Sequence, residues 1–172
     1  AEKPSFVKLL GSRFVLLIAL AICLYVGFET TIANYSDSYF ELSLGQPALS
    51  ALALSLFWGA MIPSRFVAGL VKIQTGKIIA SLSALLMASL LCAMLIPNPA
   101  VKLVCFGLAG FACGPMWPLM MDSVAQRSQG SSGASLGVMM AFSGFGGAML
   151  PLLSGVFVNL SDPSAAYYVS AV

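Results

Sequence analysis

From Ile78 to Ile96 the chain runs nineteen residues without a charged side chain, then meets Pro97-Asn98-Pro99. An α-helix rises about 1.5 Å per residue, so about 20 apolar residues cross a hydrocarbon layer of about 30 Å. Inside lipid every backbone amide must be satisfied within its own segment, so a stretch of this length is expected to be a helix. Four further runs pass the same test: Phe14 to about Asn34, interrupted by Glu29; Ala48 to Val71, with Pro63 and Arg65 near its end; Ala100 to about Ala125; and Gly133 to Leu160. In chain order the five runs are the first to fifth spans. The chain then turns at Ser161-Asp162-Pro163 and starts another run at Ala165 that stops at Val172, too short to cross. The expectation is an all-α membrane protein, one unit over residues 1–172, with five transmembrane helices plus the start of a sixth that is truncated.

Composition agrees. Hydrophobic residues make up 59% of the chain and charged residues 8%, against about 25% charged in soluble domains. A chain so poor in charge cannot cover a surface in water. Cys23, Cys92, Cys105 and Cys113 all lie in apolar runs without CxxC spacing, which reads as reduced, buried thiols rather than a disulfide frame or a zinc site. There is no histidine, the commonest general base and metal ligand. Nor is there an HExxH or a phosphate-cradling glycine loop. No enzyme, metal, cofactor or nucleic-acid partner is expected; the bilayer is. The first run is too long for a signal-peptide core and lacks a small-residue cleavage pattern, so it is read as a true span.

Basic residues set the orientation. Lys3, Lys8 and Arg13 precede the first span, Lys72 and Lys77 separate the second from the third, and Arg127 follows the fourth. The opposite connections carry Asp37, Glu41 and Asp162, with Lys102 their one basic residue. The N-terminus is therefore expected on the cytoplasmic side of a cell membrane, the inner membrane if the source is bacterial. Helices in lipid associate through small residues. Ala80, Ala84, Ala88 and Cys92 form one such stripe, and the glycines of the fourth and fifth spans are expected to face each other. Pro115, Pro118 and Pro151 free carbonyls that protein or a wet cavity must satisfy.

Candidate site residues follow from polarity in the wrong solvent. Glu29, about 24 Å along its helix from Arg13, is a functional-site hypothesis by default and suits a proton-coupled or sugar-binding site. Its plainer reading is a structural pair or a snorkelling side chain. Thr30 and Asn34 could join it as solute ligands, although an ideal helix points them and Thr31 away from Glu29 and Tyr25 unless it bends near Gly27. Trp117, between two prolines, is either a stacking surface in a cavity or an interface anchor. Ser143 is either a ligand donor or a packing residue among glycines. Arg65, about 9 Å inside the end of its helix, either snorkels or forms a cytoplasmic gate with Asp122, with Arg127 in the same cluster. Asn34-Tyr35-Ser36 and Asn159-Leu160-Ser161 match the glycosylation pattern but hug the membrane surface.

The segment from Trp58 to Gly69 (WGAMIPSRFVAG), followed by Gly76-Lys77, resembles a degenerate cytoplasmic loop motif of the major facilitator superfamily (MFS), with Arg65, Gly69 and Lys77 in place and the acidic member missing. Tyr25 to Thr31 (YVGFETT), Gly114 to Pro118 (GPMWP) and Gly146 to Pro151 (GGAMLP) are similar to the fucose-permease-like sugar symporter branch. The resemblance implies an MFS half-bundle, the C-terminal half of a transporter whose N-terminal half is its partner. It also implies alternating access for a small-molecule solute, a sugar or similar, driven by a proton or cation gradient. A small self-associating pore or scaffold is the competing reading. The two differ in whether a second half of equal size exists.

Overall fold

In the computed structural model, described over residues 12–70, 74–128 and 132–160, helices make up nearly all of those segments. Six α-helices follow in order: α1 Arg13–Ser38, α2 Pro47–Leu70, α3 Thr75–Leu95, α4 Pro99–Cys113, α5 Met116–Arg127 and α6 Ser132–Leu160. A π-helical turn, Tyr39–Ser43, extends α1, and α4 and α5 are two pieces of one span broken at Gly114-Pro115. Among the described residues, five helical stretches are long and apolar enough to cross a membrane. The short sixth run from Ala165, Asp162 and the second glycosylation pattern's Ser161 lie outside the described residues.

The first helix continues past Asn34 because the next turns, although partly polar, are enclosed: Ser36, Tyr39 and Phe40 are buried. At the other side of the loop, Gly45 adopts φ 63°, a left-handed turn that lets Pro47 start α2. Asn98 caps α4 by accepting from the Ala100 and Val101 amides at 2.9 and 3.4 Å, with Pro99 at the first helical position. Short connections make successive spans antiparallel. One end gathers Asp37, whose carboxylate accepts from Ser50, and Tyr39 with Lys102. The other end brings the Arg127 guanidinium 4.4 Å from the centre of the Phe14 ring.

The spans pack in two matched pairs, first with fifth and second with fourth, and the third lies along the fourth. Both pairs close at backbone distance. A Cβ on Gly110 would strike the Phe57 carbonyl and one on Gly114 would strike Met61; likewise one on Gly146 would strike the Cys23 carbonyl and one on Gly27 would strike Leu150. Cys23 and Gly27 stand 87 positions before Gly110 and Gly114, and Phe57 and Met61 stand 89 before Gly146 and Leu150. The two pairs are therefore copies of one another. Because the first and fourth spans run in opposite directions, the copy is inverted, the arrangement on which many secondary transporters are built.

Two packing expectations are corrected. The glycines of the fourth and fifth spans do not face each other: Gly110 and Gly114 meet the second span, and Gly146 meets the first. In the third span Ala80, Ala84 and Ala88 are exposed, whereas Leu86, Ser89, Leu90 and Ala93 form the buried face. Larger side chains there fill the groove beside the fourth span, where no backbone-level approach requires alanine. Lys102 is also not a loop cation. It sits in the first turns of α4 and is 2% exposed.

Candidate functional site

The break in the fourth span follows from its prolines. A helical carbonyl accepts from the amide four residues on, and proline has none. Pro118 therefore strips the Gly114 carbonyl of its donor, and Pro115 does the same to Phe111. In a bilayer these groups need replacement donors. The structure supplies one to Gly114 and another to the neighbouring carbonyl at the same break: Arg65 Nε donates to the Gly114 carbonyl at 3.0 Å, and the Tyr25 hydroxyl donates to the Cys113 carbonyl at 2.9 Å. Gly114 is required in this place, since any side chain would collide with Ser64 and the Met61 backbone of the second span.

Glu29 belongs to this cluster. It stands one helical turn beyond Tyr25 on the same helix. The Arg65 guanidinium and the Cys113 thiol are close enough to interact with it electrostatically. Among the described residues Glu29 and Arg65 form no direct ion pair. Glu29 is half-buried and Arg65 exposed, so both residues reach the surface of this bundle. Three spans thus contribute to one polar site: Tyr25 and Glu29 from the first, Arg65 from the second, and two consecutive carbonyls from the fourth.

The remaining candidates are dispersed. Thr30 Oγ1 donates to the Val26 carbonyl of its own helix at 2.6 Å and faces Gly147 of the fifth span, away from Glu29. Thr31 likewise returns to Gly27, at 2.8 Å, and is fully buried. Asn34 is exposed one turn further along. Trp117, half-buried, packs on the apolar core. The Ser143 hydroxyl is used within its own helix, donating to the Met140 carbonyl at 2.9 Å. Arg65 and Asp122 do not meet. Asp122 accepts from Gln126 at 2.6 Å, one turn along its own helix, and eight residues from Gly114 place it about 12 Å along the axis from the carbonyl Arg65 holds. Arg127 is occupied with Phe14. Arg65 therefore reaches inward to the break instead of joining Asp122 and Arg127 at the helix ends.

A cavity of about 350 Å³ lies beside the site, between the first, third and fourth spans, lined by Leu24, Tyr25, Phe28, Met87, Met116 and Met120 among others. Its walls are apolar. Tyr25 offers it the ring, with the hydroxyl committed to Cys113, so the polar cluster and not this cavity has the chemistry to hold a polar solute. No group of three or more His, Cys, Asp and Glu side chains able to hold a metal ion occurs among the described residues.

Sequence reasoning had Glu29, Arg65 and the proline-freed carbonyls, but not Tyr25 as a donor across to the fourth span. The available signal was its position one turn before Glu29 on the same face.

Comparison with known proteins gives two findings. The glucose/mannose transporter GlcP of Bacillus subtilis (strain 168) is 25% identical over 138 residues, covering 79% of this chain. The chain spans about a third of that relative's length, 34%. Residues 17–172 match the sequence profile of the Major Facilitator Superfamily. With its five membrane-crossing stretches and inverted pairs of spans, the chain belongs to the Major Facilitator Superfamily.

Proposed function

We propose that this chain is the C-terminal half of a secondary transporter that moves a small polar solute, a sugar, by alternating access, coupled to a proton or cation gradient. The observation that carries this reading is the gathering of Tyr25, Glu29 and Arg65 on the broken centre of the fourth span. Discontinuous helices that expose backbone at membrane depth are where such proteins hold solute and coupling ion. A carboxyl, a phenol and a guanidinium offer both donors and acceptors, which suits a hydroxylated neutral molecule better than an apolar or singly charged one. Similarity to a glucose/mannose transporter supports the solute class.

In this reading the exposed side of Glu29 and Arg65 meets an N-terminal half that precedes this chain. The Arg13 end faces the cytoplasm, as the distribution of Lys and Arg indicates. Glu29 carries the coupling proton, and Arg65 holds the site's charge balance. Trp117 is kept as a stacking surface for a sugar ring.

The test is uptake by the full-length protein in proteoliposomes. Glu29→Gln is expected to abolish accumulation driven by a pH gradient while leaving counterflow exchange of labelled solute in place. Unchanged accumulation with unchanged pH dependence would remove Glu29 from the mechanism.

A further inference from the structure

Two cavities lie along one furrow between the first and fourth spans, and their linings differ in kind. The deeper one, described above, is apolar, and Ala21, Leu24, Met116 and Met120 form its wall on these two spans. The second, also of about 350 Å³, lies at the helix ends and is lined by Phe14, Ser123, Gln126 and Arg127. Residues three, four and seven positions apart share a helix face. Met116, Met120, Ser123 and Arg127 therefore form one stripe along α5, and Phe14, Leu17, Ala21 and Leu24 form one along α1. The cavities are successive lengths of the same furrow, with about 10–15 Å of the first span between Phe14 and the deeper wall. Leu17 and Leu24 are 66% and 53% exposed, so the described residues leave the furrow open on that side.

The cavity at the helix ends is cationic. The Arg127 guanidinium lies 4.4 Å from the centre of the Phe14 ring, which stabilises a cation without cancelling its charge. Among the described residues no carboxylate or other acceptor meets its five N–H donors. Gln126 gives one amide hydrogen to Asp122 and has a second. The Ser123 hydroxyl is committed to the Leu119 carbonyl at 2.8 Å. Arg127 and Arg13, the exposed neighbour of Phe14, face one exposed carboxylate, Asp122, which leaves one positive charge in excess.

We propose that this furrow binds one anionic phospholipid, with its phosphodiester on Arg127 and an acyl chain in the cavity walled by Leu24, Met116 and Met120. A phosphodiester brings the single negative charge that the cavity lacks, and oxygens that a forked guanidinium holds in two parallel hydrogen bonds. Free phosphate brings about two charges near neutral pH and no chain. Half of a hydrocarbon core about 30 Å thick is about 15 Å, which matches the reach from Phe14 to the deeper cavity. Basic recesses between spans at the membrane surface suit anionic head groups. Met87, Met116 and Met120 give the deeper cavity unbranched walls that adapt to a flexible chain. The furrow shares with the solute site only the Tyr25 ring, so this inference stands apart from the choice of solute.

Titration of delipidated full-length protein in detergent with phosphatidylglycerol tests it, read as bound lipid by native mass spectrometry. One phosphatidylglycerol is expected to bind more tightly than the rest, and about tenfold or more tighter than phosphatidylcholine, whose head group is neutral overall. Arg127→Gln should weaken that site about tenfold or more, since bonds to a charged donor are lost. Arg127→Lys, which keeps the charge without the fork, should weaken it less. Leu24→Trp fills the deeper cavity from an exposed position and should also weaken it. Inorganic phosphate in large excess should leave the lipid in place. Equal affinity for the two lipids, or wild-type affinity in Arg127→Gln, overturns the proposal. Wild-type affinity in Leu24→Trp means that another part of the protein fills the furrow, and overturns it as well. Displacement of the lipid by inorganic phosphate would make this a site for free phosphate, and the lipid assignment would fall.

Discussion

Lys102 Nζ donates to the carbonyl of Ala93, a group that Pro97, four residues on, leaves without a helical donor. It is the same device as Arg65 on Gly114, where the proline is Pro118. In both places a cation from a neighbouring segment replaces the missing amide. Lys102 also donates to the Tyr39 hydroxyl at 2.7 Å, joining the ends of the first, third and fourth spans.

Lys102→Met, which keeps the length of the stem, should therefore destabilise the protein by about 1.5–3 kcal/mol, the range for bonds to a charged donor. Tyr39→Phe should cost less, about 1 kcal/mol. Thermal unfolding in detergent reads both. An unchanged midpoint for Lys102→Met would mean that water reaches the Ala93 carbonyl.

Gly110→Ala and Gly146→Ala should each be destabilising by about 1–3 kcal/mol, because the added methyl meets backbone that cannot yield. Gly107→Ala and Gly137→Ala sit in the same two spans with open space at the position of the methyl, and should be neutral or gain up to about 1 kcal/mol from helix propensity. Equal effects in the two sets, read as the fraction folded in a denaturant series, would argue against the close approach of the paired spans.

Pro118→Ala returns an amide to the position from which the Gly114 carbonyl should be served. It competes with Arg65 and makes the fourth span continuous. A gain of up to about 3 kcal/mol is available from removing an interior proline. The expected result is a higher unfolding temperature with a slower initial rate of uptake, since the break is removed. Faster uptake together with higher stability would show that the break is incidental.

The Tyr35 hydroxyl donates to the Pro151 carbonyl at 2.9 Å, and a Cβ on Gly155 would lie 2.6 Å from that hydroxyl. Tyr35→Phe should cost about 1 kcal/mol. Gly155→Ala should displace the hydroxyl and lose the same bond. The double variant should then be no worse than Gly155→Ala alone, and additive losses would show that the two residues act separately.

The spans were legible because hydropathy and length are properties of the chain taken one residue after another. So was the fate of the prolines, since a missing amide is written in the sequence at Pro97, Pro115 and Pro118. What the sequence did not reveal was which side chain answers each vacancy. Arg65 lies close enough to its helix end to snorkel, and only the approach of the fourth span at Gly114 makes the inward direction the shorter one. Lys102 was read with its loop, three residues after Pro99, because burial depends on the face of α4 that meets the third span. The glycine stripes showed that close contacts exist but not between which spans. That pairing is lateral, and a single chain read end to end has no lateral coordinate.

The acceptors at the centre of the site are the Cys113 and Gly114 carbonyls, and backbone oxygens cannot be deleted by changing a codon. Substitution at either position would alter packing, but the oxygen would remain. In the proposed reading, a relative with a different solute varies the donors that reach those oxygens from the first and second spans, or moves the proline that frees Gly114. Specificity in such a site is edited from the walls, while its floor stays constant.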